Sequence, residues 1–203
     1  MKDIRLGVRP GIVACLSASM LALAVAPLFV PAGYSWVAHT TSESAAQGVT
    51  GAWVARLGFL LFGLAVVRLA VERRSDWGRL AAVFHFGFGL SMVTTATFST
   101  RAWDPAVPFD PVEDAAHSVA ATAVGFCFAF GVLAFVYRRW TAGRPVRRLD
   151  FSALFATVAV PASMAVFAGY AGVLQRSMFA LAYVWYLREC RVHSDDTGGD
   201  PAE

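Results

Sequence analysis

The stretch Asp110-Pro111-Val112-Glu113-Asp114-Ala115-Ala116-His117 holds the densest set of groups able to do chemistry. Positions 110, 113, 114 and 117 fall on one face of a helix, which groups three carboxylates and an imidazole. Two of them have a structural use. Asp110 is a suitable N-cap, Pro111 suits the first helical position, and Glu113 completes a capping-box-like pattern. Asp114 and His117 are not needed for a cap. A carboxylate three residues before an imidazole can move protons or help to bind a metal.

A second stretch repeats this logic. His39, Glu43 and Gln47 are spaced by four and would line one face of a short external helix ended by Gly48. The plainer alternative is a solvated loop helix. Together His39, Glu43, Asp114 and His117 form a two-His, two-carboxylate set of the kind that suits zinc or another divalent ion. Their spacing follows no zinc motif, and the expectation is that no cofactor is bound.

Arg56 and Arg176 each stand about one turn inside an apolar segment. Arginine at that depth snorkels, pairs with a carboxylate, or forks onto a substrate phosphate or carboxylate. Gln175 can add a hydrogen bond to either. The six tryptophans divide into Trp36, Trp53 and Trp103 on one side and Trp77, Trp140 and Trp185 on the other, as an interfacial aromatic belt would. Trp53 neighbours Arg56 and Trp103 neighbours Asp104, so both are also candidates for an aromatic wall that stabilises a cation. His85, inside a Phe-rich segment, reads as a core histidine.

These residues need elements to position them, and composition says which. The 203 residues are 57% apolar and only 15% charged, with a mean hydropathy of +0.56. A soluble domain carries roughly a quarter charged residues, so a soluble fold and a disordered chain are both excluded. Three cysteines are too few for a disulfide scaffold. The charges sit in short clusters between long apolar runs, which makes the chain an integral membrane protein.

A helix needs about 20 largely apolar residues to cross the hydrocarbon core. Six segments qualify, at about 11–31, 52–71, 80–99, 115–137, 151–170 and 173–187, the last one short. The expected architecture is an all-α, six-helix transmembrane bundle forming one domain over 1–191, with a disordered cytoplasmic tail at 192–203. Lys2 and Arg5 before the first run suggest a signal peptide, but Pro27 and Pro31 occupy the place of a cleavage motif. Alternating spans put 14 of the 17 Lys and Arg residues on one side and only Arg56, Arg101 and Arg176 on the other. Cytoplasmic loops carry such an excess, so both termini are expected in the cytoplasm of a multi-pass cell-membrane protein. The basic loops are thereby an orientation signal, and nucleic-acid binding is discarded. Membrane lipids are the expected partners, and nothing indicates an oligomeric state.

Several motifs resemble a bacterial and archaeal family of six-span membrane proteins of unknown function. They are Ser42-Glu43-x-x-x-Gln47-Gly48, Ala52-Trp53-x-x-Arg56-x-Gly58-Phe59, Phe109-Asp110-x-x-Glu113-Asp114-x-x-His117 and Gln175-Arg176-x-Met178-Phe179. The resemblance spans nearly the whole chain and implies the fold without an activity. A weaker likeness is to small membrane terpene cyclases. It implies that Glu43, Asp110, Glu113 or Asp114 protonates an isoprenoid, with Trp53 and Trp103 facing the carbocation. The Asp-x-Asp-Asp motif of soluble cyclases is absent.

The expected function is therefore a membrane enzyme acting on a lipid or isoprenoid drawn from the bilayer. An acid kept protonated by burial would start the chemistry, with Glu43, Asp110, Glu113, Asp114 and His117 as candidates. Arg56, Arg176, Gln175, Gln47, Trp53 and Trp103 would bind the substrate. Proton-initiated cyclisation is the specific expectation, and metal-assisted lipid hydrolysis is its rival. The alternatives are a small-solute or proton-coupled transporter and an accessory protein whose outer charges only cap and pair helices.

Overall fold

The computed structural model describes residues 9–191. Lys2, Arg5 and the expected tail at 192–203 lie outside the described residues. The chain is all-helical, in the order α1 (Pro10–Val25), α2 (Trp53–Glu72), a four-residue α3 (Arg74–Trp77), α4 (Arg79–Thr97), α5 (Pro111–Thr141), α6 (Arg148–Val166) and α7 (Ala171–Glu189). Among the described residues five stretches are long and apolar enough to cross a membrane: Pro10–Leu28, Trp53–Glu72, Arg79–Thr97, Pro111–Thr141 and Arg148–Val166. Length does not separate α7 from them. It has 19 residues, as α4 and α6 do, but carries Gln175, Arg176, Arg188 and Glu189.

Consecutive long helices run in opposite directions, and contacts mark the two ends. Arg9 before α1 pairs with Glu72 at the end of α2 at 2.6 Å. At the same end Arg138 donates to the Ser75 carbonyl and Arg147 pairs with Glu189. The opposite end holds the two long loops, 29–52 and 98–110. We call these the basic end and the loop end.

The core is organised around α7. Its side chains Phe179, Tyr183, Tyr186 and Glu189 recur at helical spacing and reach the surrounding elements. Tyr183 stacks on Phe62 of α2 at 4.2 Å, and its hydroxyl shares a hydrogen bond with Ser19 of α1. The Tyr186 hydroxyl meets His85 Nδ1 of α4 at 2.9 Å. Trp185 lies edge-on to Phe128 and Phe135 of α5 and donates its indole N–H to Asp150 of α6 at 3.0 Å. The buried polar atoms in the second half of α7 are thus met by partners on other helices. That removes the cost which unsatisfied buried polar groups carry.

Apolar contact with lipid is no worse than apolar contact with protein, so helix association in a membrane rests on close packing. The α2–α4 crossing does this with Gly63 facing Gly89. A Cβ on Gly63 would lie 2.6 Å from the Gly89 carbonyl oxygen, and one on Gly89 would lie 2.7 Å from that of Gly63. At the turn between α3 and α4, Gly78 adopts φ +82°, and a Cβ there would strike Arg138.

Two local expectations differ from what the chain does. The short helix expected through His39, Glu43 and Gln47 reduces to one 3-10 turn, Glu43–Ala45. Ala46 turns extended, and the Gln47 N–H goes to the Thr100 carbonyl across the loop end instead of continuing a helix. α5 also exceeds its expected span, running from the Asp110 cap through the basic residues Arg138 and Arg139. At 1.5 Å per residue it is about 46 Å long, longer than a hydrocarbon core of about 30 Å.

Gly63→Ala and Gly89→Ala are each expected to lower stability by about 1–3 kcal/mol through overpacking. Gly125→Ala, which would meet nothing within 4 Å, is expected to be neutral. Thermal unfolding of the three variants in one detergent checks this.

Candidate functional site

At the loop end the start of α5 clasps the chain that follows α4. Asp110 caps the helix, accepting from the N–H groups of Val112 at 2.7 Å and Glu113 at 3.4 Å. Glu113 does not close the capping box. The Asp110 N–H is already taken by Gln47 Oε1 at 2.7 Å, and Glu113 reaches sideways to accept from the Ser99 N–H at 2.6 Å. Asp114 accepts from the Thr100 hydroxyl and the Arg101 N–H at 2.8 and 2.9 Å. His117 Nδ1 lies 2.8 Å from the Phe98 carbonyl. Since a carbonyl only accepts, Nδ1 carries a proton, and among the described residues the buried Nε2 meets no hydrogen-bond partner. Asp114 and His117 therefore direct their hydrogen bonds to neighbouring residues of one loop segment. Gln47 ties the two loops together, donating to the Ser99 and Asp110 carbonyls at 2.8 and 3.1 Å.

Neither loop-end arginine within the helices pairs with a carboxylate among the described residues. Arg56 donates to the Ala45 and Ala46 carbonyls at 3.0 and 3.1 Å. Arg176 donates to the Trp36 and His39 carbonyls at 2.9 and 3.0 Å and to the Tyr34 hydroxyl. Its guanidinium also lies over the Trp36 ring at 5.0 Å. The loop sits so close here that a Cβ on Gly172 would fall 2.3 Å from the His39 carbonyl oxygen. Gln175 adds its side-chain oxygen to the Thr41 N–H at 2.7 Å. Burial pushes the Tyr34 hydroxyl above its ordinary range, against the opposing pull of Arg176.

Glu43 accepts from the N–H and the hydroxyl of Thr40, which in turn receives the Glu43 N–H. This is a Thr-x-x-Glu capping box, a signal that the sequence carries and that the helical spacing of His39, Glu43 and Gln47 masks. His39 accepts the Ser35 N–H on Nδ1 and stacks on Trp103. Trp103 thus belongs to the His39 and Tyr34 corner, and Trp53 is 63% exposed and touches Phe29 edge-on. Among the described residues His39, Glu43, Asp114 and His117 are not gathered into one metal-sized group.

What the structure does gather is an open cleft of about 490 Å³ lined by Gln47, Arg56, Phe109, Asp110 and Glu113. It combines one guanidinium, two carboxylates and one amide from α2, the first loop and the start of α5. Such a set can grip an anionic group through the guanidinium and exchange a proton through a carboxylate.

A second cluster, at the basic end, was missed by sequence reasoning. Arg147 reaches two buried carboxylates, Asp150 at 2.8 Å and Glu189 at 2.7 Å. Trp77 donates its indole N–H to Glu189 at 2.9 Å, and Arg73 stands 3.5 Å from the same carboxylate. Trp77 and Trp185 do not lie in the expected interfacial belt: they are 1% and 0% exposed, pack against each other and both contact His85. Burial acts against the charge of Arg147. The hydrogen bonds and charges of Asp150 and Glu189 outweigh it and hold the guanidinium above its ordinary value. The available signal was two acids at the ends of apolar segments, each needing a partner. This cluster has the character of a structural lock.

A family model described as "Protein of unknown function (DUF998)" matches residues 12–190. No curated protein and no solved structure matches the chain. The matched range contains both the loop-end clasp and the basic-end lock.

Removing one partner from a buried ion pair leaves an uncompensated charge, which costs about 3–5 kcal/mol. Glu189→Ala is expected to destabilise by that amount, and Glu43→Ala, which removes only a turn cap, by about 0.5–2 kcal/mol. Thermal unfolding of the two variants checks the order.

Proposed function

The chain belongs to this family of unknown function, and we propose that it is a six-span membrane protein that acts on a lipid or isoprenoid at the loop-end cleft. Two observations support α7 as the sixth span. It has the length of its neighbours, and its polar side chains are met by α1, α4 and α6. The charge distribution supports cytoplasmic termini. Arg9, Arg68, Arg73, Arg74, Arg79, Arg138, Arg139, Arg144, Arg147, Arg148, Arg188 and Arg191 all belong to the basic end, where the positive-inside tendency puts the cytoplasm. The cleft then opens at the outer face of the cell membrane.

One observation carries the functional reading: the cleft brings Arg56, paired with no carboxylate among the described residues, beside Asp110 and Glu113. Arg56 spends two of its donor nitrogens on loop carbonyls, and the guanidinium keeps its charge for an anionic headgroup. Glu113 spends one oxygen on the Ser99 N–H and keeps the other for proton transfer. Asp114, His117 and Gln47 fix the segment that carries Ser99, and Arg176 and Gln175 fix the first loop. In its most specific form the reaction is proton-initiated cyclisation of an isoprenoid.

Glu113→Gln retains an acceptor for Ser99 and removes the acid, and Asp110→Asn retains the cap. Lipid extracts from cells making the wild type, each variant or no protein are compared by mass spectrometry. Glu113→Gln is expected to lower product formation by about 10²–10⁴-fold at unchanged expression, with the uncyclised precursor accumulating. Identical lipid profiles for wild type and both variants would overturn the assignment.

A further inference from the structure

At the basic end an apolar groove of about 610 Å³ runs between α2 and α4, walled by Val71, Ala82, Val83 and Phe86, and Arg74 and Arg79 line its mouth. From Arg79 to Phe86 the groove descends about 10 Å along α4. Both arginines are exposed, and the acids nearby are already engaged. Glu72 holds Arg9 and Arg68, and Asp76 holds Arg73. Among the described residues Arg74 and Arg79 form no ion pair, so the mouth carries two positive charges without local compensation. The turn at Gly78, with φ +82°, lets α3 and α4 present the two guanidiniums to one opening.

We propose that this groove binds one anionic glycerophospholipid, its phosphate held by Arg74 and Arg79 and one acyl chain lying against Val71, Val83 and Phe86. A free phosphate would satisfy the arginines but would leave the apolar wall unused. A zwitterionic lipid would fill the wall, but its own cation would oppose the two arginines. The combination of uncompensated charge and continuous apolar depth fits the anionic lipid. This site shares no residue with the loop-end cleft, so it stands or falls apart from the reading above.

The test uses the full chain in nanodiscs containing phosphatidylcholine and phosphatidylglycerol in equal parts, with retained lipid identified by native mass spectrometry. Two membrane-surface arginines correspond to a preference for phosphatidylglycerol of about 10- to 30-fold. Arg74→Gln/Arg79→Gln is expected to bring the preference near parity. Arg188→Gln/Arg191→Gln, which removes the same charge elsewhere at this end, is expected to preserve it. Val83→Trp, on an exposed position that fills the groove, is expected to lose the retained lipid with both arginines intact. Equal losses in the two double variants would overturn the site in favour of diffuse charge. Thermal stabilisation by inorganic phosphate equal to that by phosphatidylglycerol would overturn it in favour of a free anion, and lipid retention unchanged in Val83→Trp would overturn the acyl groove.

Discussion

A buried polar atom without a partner is costly, and α7 brings several polar side chains into the bundle. It carries Gln175 and Arg176 in its second turn, Tyr183 and Tyr186 in its middle and Glu189 at its end. Each is met inside the protein: by the first loop, by Ser19, by His85, and by Arg147 with Trp77. Those same contacts connect α7 to the surrounding helices. Satisfying the polar atoms and assembling the bundle are one event. Large aromatic side chains fill the space that α7 leaves at its centre, and Gly63 against Gly89 closes the outer crossing of α2 on α4.

The loop end obeys the same rule with different groups. Glu113, Asp114 and His117 are acceptors and a donor for the backbone of residues 98–101, and Arg56 and Arg176 serve the carbonyls of the first loop. Most of the polar side chains there are committed to holding loops over the bundle. Function is therefore sought in what this arrangement leaves at the cleft, namely the charge of Arg56 and the second oxygen of Glu113. A scaffold that fixes its site residues through the backbone holds them in place before any ligand arrives.

Hydropathy and charge make the apolar helices legible in the sequence, because lipid-facing segments must be apolar whatever they pack against. α7 is harder to read for the reason that makes it central. Its polar groups look unfavourable until their partners are known. Asp110 as a cap is readable from local spacing, and so is the Thr40–Glu43 box. Glu113 mimics half of a capping box, and only the fold shows that Gln47, 66 positions away, supplies the competing bond. Trp77, Trp185, Asp150 and Glu189 meet only in three dimensions, and belt-like spacing hides two buried indoles.

In the proposed arrangement an even number of spans puts the basic end in the cytoplasm, makes α7 a spanning helix and turns the cleft outward. Reporter fusions at the two termini test it most directly. With six spans, a fluorescent protein that folds only in the cytoplasm lights up at both the N- and the C-terminus, and a phosphatase active only outside stays silent at both. An active phosphatase at the C-terminus alone would mean an odd number of crossings. It would contradict the role of α7 as the sixth span.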